Sequence, residues 1–442
     1  MTARELSGLV ALLSCVGCAA TAGPASAAAG DLDSTFGGDG IVTTRSGTDR
    51  AIAIQANGRI VVAGTTTRQR RELFALARFT RNGALDAAFS SDGRVTTRLP
   101  NRRCVGVTAL AIARGGKIVA AGRSGCVGGK FALVRYLPSG RLDRSFSGDG
   151  RVTTSFGDNC RFAAPGAMAI QRNGRIVVAG RAQCTTAGTT TATFALARYT
   201  GGGRLDRTFS GDGRLTTDFT HTFDYAYDVL VAPGGKIVAA GTSDAESFEH
   251  ARFALARYTA SGALDRSFGI GGKVMTPFTG EQNCEEWAQA YTLARQPDGA
   301  LIAAGTTGCE GHPNFALARY TPRGTLDPSF GGDGRLATLF GADDCAGLVN
   351  DLAIRADGRI IAGGAAGCRD PHPSFALARY RRDGRLDAGF GGDGKVTTTL
   401  RTTGDCFDQI NAIGLRAGRI MAVGAGGCAS GAPAAVLRYR GG

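Results

Sequence analysis

The sequence predicts an all-β fold: a seven-bladed β-propeller of four-stranded antiparallel blades, its ring closed by the N- and C-terminal segments. Three observations lead there. The 442-residue chain repeats one motif seven times, each unit holds four short alternating apolar runs, and Gly-bearing turn pairs separate those runs. The motif is "LDxxF", with its aspartate at Asp33, Asp86, Asp143, Asp206, Asp265, Asp327 and Asp387, spaced 53 to 63 residues apart. "GDG" or a near relative follows it and leads into a first run such as "RVTT"; the fifth copy departs, reading "GIGGKVMT" at 269–276.

A second run, "AIAIQANG" in the first unit, ends at a turn pair that recurs as Asn57-Gly58, Gly115-Gly116, Asn173-Gly174, Gly234-Gly235, Asp298-Gly299, Asp357-Gly358 and Ala417-Gly418. These pairs tolerate the positive φ of a tight hairpin. A third run, "RIVVAG", leaves the turn, and a fourth, "FALARY", closes the unit. Terminal capping repeats, which a solenoid would need, are not evident. The segments "GDLDSTFGGDGIVTT" and "LRYRGG" read instead as two halves of one interrupted connection. Laying the N-terminal strand beside the last blade would rejoin them and cover a sheet edge.

These motifs, "GxLDxxFGGDGxVTT", "NGRIVVAG" and "FALARY", resemble those of the delta-60 repeat propellers of bacterial exported proteins, across residues 30–442. The resemblance implies a propeller. It implies no activity, and it brings a calcium-binding label that the residues must support for themselves.

Residues 1–29 are set apart. An apolar stretch from Leu6 to Cys18 followed by small residues reads as a secretory signal, with cleavage after Ala27 or Ala29. "LLSC", ending at Cys15, resembles a lipobox, so a lipid anchor on Cys15 is the alternative. The expected location is extracellular or periplasmic, or the outer surface as a lipoprotein. No later apolar run approaches the roughly 20 residues of a membrane helix. The chain is expected to be a monomer. Its net charge of +14 suits polyanions, but no Lys/Arg block with interleaved aromatics appears, which argues against nucleic acid.

Ten cysteines follow residue 30 in five pairs: Cys104-Cys126, Cys160-Cys184, Cys284-Cys309, Cys345-Cys368 and Cys406-Cys428. Each pair brackets a hairpin turn at near-equal distance, so its members should face each other across the open end as disulfides. Zinc would need CxxC clusters or histidine partners, and no CxxC cluster occurs among these ten cysteines. This placement sorts the faces of the ring. One carries the hairpin turns and "LDxxF" connections, nearly constant between units; the other carries the cysteine loops and almost all the variation. Binding residues belong on the variable, stapled face.

Candidate residues follow from position. The arginine of "LARY" (Arg78, Arg135, Arg198, Arg257, Arg319, Arg379, Arg438) recurs beside the motif aspartate, as an architectural ion pair rather than a set of anion sites; Asp33 would pair with Arg438 at ring closure. The "GDG" aspartates Asp39, Asp92, Asp149, Asp212, Asp333 and Asp393 read as turn caps, with calcium the alternative and no other cofactor implied. On the stapled face, units four to seven bring Asp224, Asp228, Glu246, Glu249, Glu281, Glu285, Glu286, Glu310, Asp343, Asp344, Asp351, Asp370, Asp405 and Asp408. Units one and two bring Arg68, Arg70, Arg71, Arg102 and Arg103. His250, His312 and His372 recur three residues before the fourth run, too far apart around a ring for shared metal ligation. Asp228 and Asp351 replace the usual alanine at the start of the second run and, with Glu286, form the best acid/base set. The reading is a non-enzymatic binding scaffold for a protein or an envelope polysaccharide; the alternatives are a glycoside hydrolase or lyase using channel-mouth carboxylates, and a calcium-binding structural surface protein.

Overall fold

Period-two apolar runs broken by turn pairs fold into seven four-stranded antiparallel sheets, arranged as the blades of a propeller. The computed structural model describes residues 28–44, 48–100, 103–186, 188–220, 222–244, 250–278, 287–309, 312–340, 346–367, 373–400, 407–427 and 434–442. The fourth blade shows the plan: Tyr225–Val231, Ile237–Ser243, Arg252–Tyr258 and Lys273–Thr276, paired in chain order. The first of these strands meets the first strands of its neighbours, so it lines the channel. The "RVTT" run is therefore outermost, and it pairs with "FALARY" of the unit before it. Sequence unit and blade are offset by one strand. That offset closes the ring, because Ile41–Thr43 becomes the outer strand of the last blade through Ile41↔Leu437, Val42↔Val436 and Thr43↔Ala435.

The core lies between blades. Val61, Phe74 and Leu76 of the first blade pack on Val105, Val107 and Ile118 of the second, and equivalent clusters fill the other junctions. Both faces of the middle strands are covered in this way, which is why "IVVAG" and "FALAR" read as continuous apolar runs rather than alternating ones.

The repeated charges hold the connections. Arg198 Nε donates to Asp206 Oδ2 at 2.8 Å, its guanidinium carbon lies 4.6 Å from the centre of the Phe209 ring, and Nη1 donates to the Ala260 carbonyl of the next blade. Arg78, Arg135, Arg257 and Arg379 repeat the arrangement with Asp86, Asp143, Asp265 and Asp387. A second cation joins each aspartate from the start of the second strand, as Arg175 does on Asp206 at 2.9 Å. In the fifth blade that position is Ala300, and Arg319 divides itself among Asp327, Asp298 and Gln296. Arg438 meets Asp33 at 3.0 Å across the ring closure. The tyrosine that follows six of these arginines (Phe79 follows Arg78) is buried and donates to a threonine on the outer strand of the preceding blade, as from Tyr199 to Thr154 at 2.7 Å.

Candidate functional site

The innermost strands share one irregularity. Each skips a pairing position opposite the glycine of "VAG" or its equivalent, as between Ala226 and Asp228 or between Val349 and Asp351. The bulge thrusts a carbonyl outward against the second strand, where a Cβ on Gly241 would lie 1.8 Å from the Tyr225 oxygen. Only glycine fits there. The extra residue of each bulge is left unpaired and lines the channel: Arg50, Thr108, Gly166, Tyr227, Tyr291, Asn350 and Asn411. The next residue points toward the following blade: Ala51, Ala109, Ala167, Asp228, Thr292, Asp351 and Ala412.

The channel they enclose holds about 570 Å³ and is chemically lopsided. Blades two and three contribute mainly Ala109, Leu110, Ala164, Pro165 and Met168, whereas blades four to seven contribute tyrosines, asparagines and carboxylates. Tyr227 and Tyr291 meet edge to face at 5.2 Å. Arg181, from a second strand, stacks at 4.2 Å over Tyr225 and at 5.3 Å over Phe162. Among the described residues no carboxylate pairs with Arg181 or with Arg50. Asn350 and Asn411 donate to the Ile410 and Asp49 carbonyls of the blades that follow them.

Asp228 and Asp351 stand at mid-strand in the channel wall, not at a loop end. Asp228 accepts from the Val229 N–H at 2.7 Å and the Leu293 N–H at 2.6 Å; Asp351 accepts from Leu352 at 2.8 Å and Ile413 at 2.7 Å. Each carboxylate thus ties its own bulge to an inner strand of an adjacent blade. The Thr292 hydroxyl lies between them, 3.3 Å from an oxygen of each. Burial pushes Asp228 up to about 7, with the Asp351 charge adding to it, and burial pushes Asp351 up to about 6.

Other sequence candidates take different places. Asp224 and Asp408, read as exposed binding acids, are buried: they accept from the Phe219 N–H at 2.6 Å and the Leu400 N–H at 2.8 Å, holding the loops that enter their blades. Asp39, Asp92, Asp149, Asp212, Asp333 and Asp393 each accept from the backbone N–H two residues on, at 2.8 to 2.9 Å, fixing the turn into the outer strand. Among the described residues no cluster of three potential metal ligands occurs. Arg68, Arg70 and Arg71 form the tip of the first blade's second hairpin. Arg103 is exposed, His250 lies in a turn, and His312 opens a strand. Cys104-Cys126 and Cys160-Cys184 are disulfides joining the strand entry to the end of the next strand. The pairings Cys284-Cys309, Cys345-Cys368 and Cys406-Cys428 lie outside the described residues, as do Glu286, Arg102, His372 and the remaining loop acids.

The sequence reading missed the bulge ring and Arg181. The glycine of "VAG" was the available signal, since a strand glycine often marks a bulge.

Six segments, 55–89, 116–146, 171–209, 233–268, 296–330 and 355–390, match a β-propeller family described as a domain of unknown function, DUF5122. The segments run from hairpin turn to "LDxxF" phenylalanine, and so take in the scaffold and leave out the bulges. No curated protein matches the sequence. Among solved structures the polysaccharide lyase Uly1 is similar at TM-score 0.51 and 9% identity, over 91% of each chain. An ulvan lyase of family PL25 bound to a sulfated disaccharide repeat scores 0.47 at 11% identity, over 90% of this chain and 96% of the other. The propeller domain of the Trilobed protease from Pyrococcus furiosus scores 0.42 at 9% identity, over 90% and 95%. At such identities the likeness is one of fold.

Proposed function

We propose that the chain is an exported, non-enzymatic scaffold of the delta-60 repeat type that binds an acidic envelope glycan in the mouth of its channel. The observation carrying this is the Arg181 guanidinium stacked over Tyr225 in a channel also lined by Tyr227, Tyr291 and Arg50, with no carboxylate paired to either arginine among the described residues. Tyrosine faces take the apolar side of a sugar ring, and a guanidinium takes a carboxylate or sulfate in bidentate fashion. Binding is favoured over turnover because both oxygens of Asp228 and of Asp351 are engaged by backbone N–H groups. Two disulfides agree with an oxidising compartment.

Calorimetric titration with polygalacturonate oligosaccharides, against neutral dextran oligosaccharides of equal length, tests the reading. The acidic series should bind, and Arg181→Ala or Tyr227→Ala should weaken it roughly tenfold or more, the loss expected for a charge-assisted bond or a stacked ring. Equal binding of both series, or indifference to Arg181→Ala, would sink it. Unsaturated or shortened products on prolonged incubation, abolished by Asp228→Ala, would make the protein an enzyme instead.

A further inference from the structure

The face opposite the cysteine loops carries exposed arginines that a glycan site does not use. In the second, third and fourth blades the connection between the third and outer strands bears exposed arginines at its crest: Arg141 and Arg144, Arg204 and Arg207, then Arg266. No side-chain hydrogen bond or ion pair among the described residues engages them. Asp149 and Asp212, which share this face, are each already paired with the arginine two residues on. The row ends at Ile270, which is 89% exposed and sits where the other connections carry Gly or Ser. Met275 follows on the outer strand, 44% exposed in place of a threonine or alanine. Both apolar substitutions fall in the one motif copy that has lost its aspartate.

Unpaired arginines beside a projecting isoleucine suit a partner that is anionic at its surface and apolar beneath it. We infer that this face docks on an anionic phospholipid surface, with the arginines of blades two to four at the headgroup phosphates and Ile270 entering the acyl boundary. Phosphate suits guanidinium in bidentate geometry, and a flat surface can meet three adjacent blades at once, as a single soluble ion cannot. Docking so would turn the Arg181–Tyr225 end of the channel away from the membrane. This inference stands apart from the glycan reading, since the residues lie on opposite faces.

The test is sedimentation of the full chain with phosphatidylcholine vesicles, with and without phosphatidylglycerol. Anionic vesicles should retain the chain at least tenfold better, and rising salt should abolish the difference. The triple variant Arg144→Glu, Arg207→Glu, Arg266→Glu should lose at least roughly 100-fold, at about a fivefold loss per arginine removed, while the matching lysine variant keeps binding. Because residues 1–27 are present throughout, equal retention by both vesicle types would assign all binding to that segment and overturn the inference. So would retention of inorganic polyphosphate without vesicle binding, which would mark a soluble polyanion site. Brominated phosphatidylglycerol supplies orientation: Ile270→Trp emission should be quenched, whereas that of Trp287, the chain's single tryptophan, should not. Quenching of Trp287 alone would show that the other face docks.

Discussion

At the scale of single residues, the arrangement of Asp228, Thr292 and Asp351 favours one shared proton. The threonine hydroxyl has one hydrogen for two carboxylate oxygens, each 3.3 Å away. With both acids ionised, one of those contacts lacks a hydrogen; with one acid protonated, both are satisfied. The consequence for stability has a definite sign. Asp228 and Asp351 ionise in the folded chain near 7 and 6, against an ordinary 3.8. Between those values the folded state holds protons that the unfolded state has released, so their contribution is full below about pH 4 and declines as pH rises toward 7. Asp224, raised to about 6 by burial, acts in the same sense. Asp33, Asp143 and Asp265 act oppositely: the hydrogen bonds and cations around them outweigh their burial and hold them well below the carboxylate range. Their stabilisation is present above about pH 4 and is lost in stronger acid. The melting temperature should therefore peak near pH 4 to 5 and fall toward pH 8. Asp228→Ala should flatten the alkaline side, costing more stability at pH 5 than at pH 8. A variant that costs the same at both would show that Asp228 stays ionised throughout.

At the scale of the repeated element, the unit of stability is an arginine, an aspartate and a phenylalanine that together bind one connection to the next blade. Lysine cannot replace Arg198, whose Nε, Nη1 and Nη2 serve Asp206, the Ala260 carbonyl and Thr208 at once. Arg198→Lys should cost about 3 kcal/mol in urea denaturation, the lower end for breaking a buried pair, whereas Arg175→Ala, removing a more exposed partner of the same aspartate, should cost under about 1 kcal/mol. Equal costs would mean that the exposed cation does the holding. The pair was legible in the sequence because both charges recur at fixed offsets within a short connection. The phenylalanine's place under the guanidinium was not, since "LDxxF" alone does not say which face of the turn its ring takes. The channel was less legible still. A bulge adds one residue without disturbing the apolar count, so Tyr227, Tyr291, Asn350 and Asn411 read as ordinary strand positions. Asp228 and Asp351 were visible as departures from alanine, but their reach to the Leu293 and Ile413 N–H groups depends on the twist between blades.

At the scale of the whole molecule, seven units and four strands per unit could be counted from the sequence, and the split connection at the two ends already pointed to the N-terminal strand lying on the last blade, as Ile41–Thr43 does. Pairing a strand at one end of the chain with the last blade makes ring closure the longest-range contact in the fold: Asp33 meets Arg438 and Arg419, and Phe36 packs under the Arg438 guanidinium at 4.9 Å. The loop so closed is nearly the full chain, but its entropic cost grows only with the logarithm of length. Three strand residues plus the Asp33 and Phe36 contacts therefore suffice to hold it. Deleting residues 28–44 should leave six blades intact and expose the Ala434–Arg440 strand as an unpaired, apolar edge. Such an edge recruits another strand. The shortened chain should sediment as dimers or larger species and melt well below the parent, and a peptide spanning 28–44 supplied in trans should restore a monomer. A truncated chain that remains monomeric with an unchanged melting temperature would show that inter-blade packing alone closes the ring and that the terminal strand is dispensable.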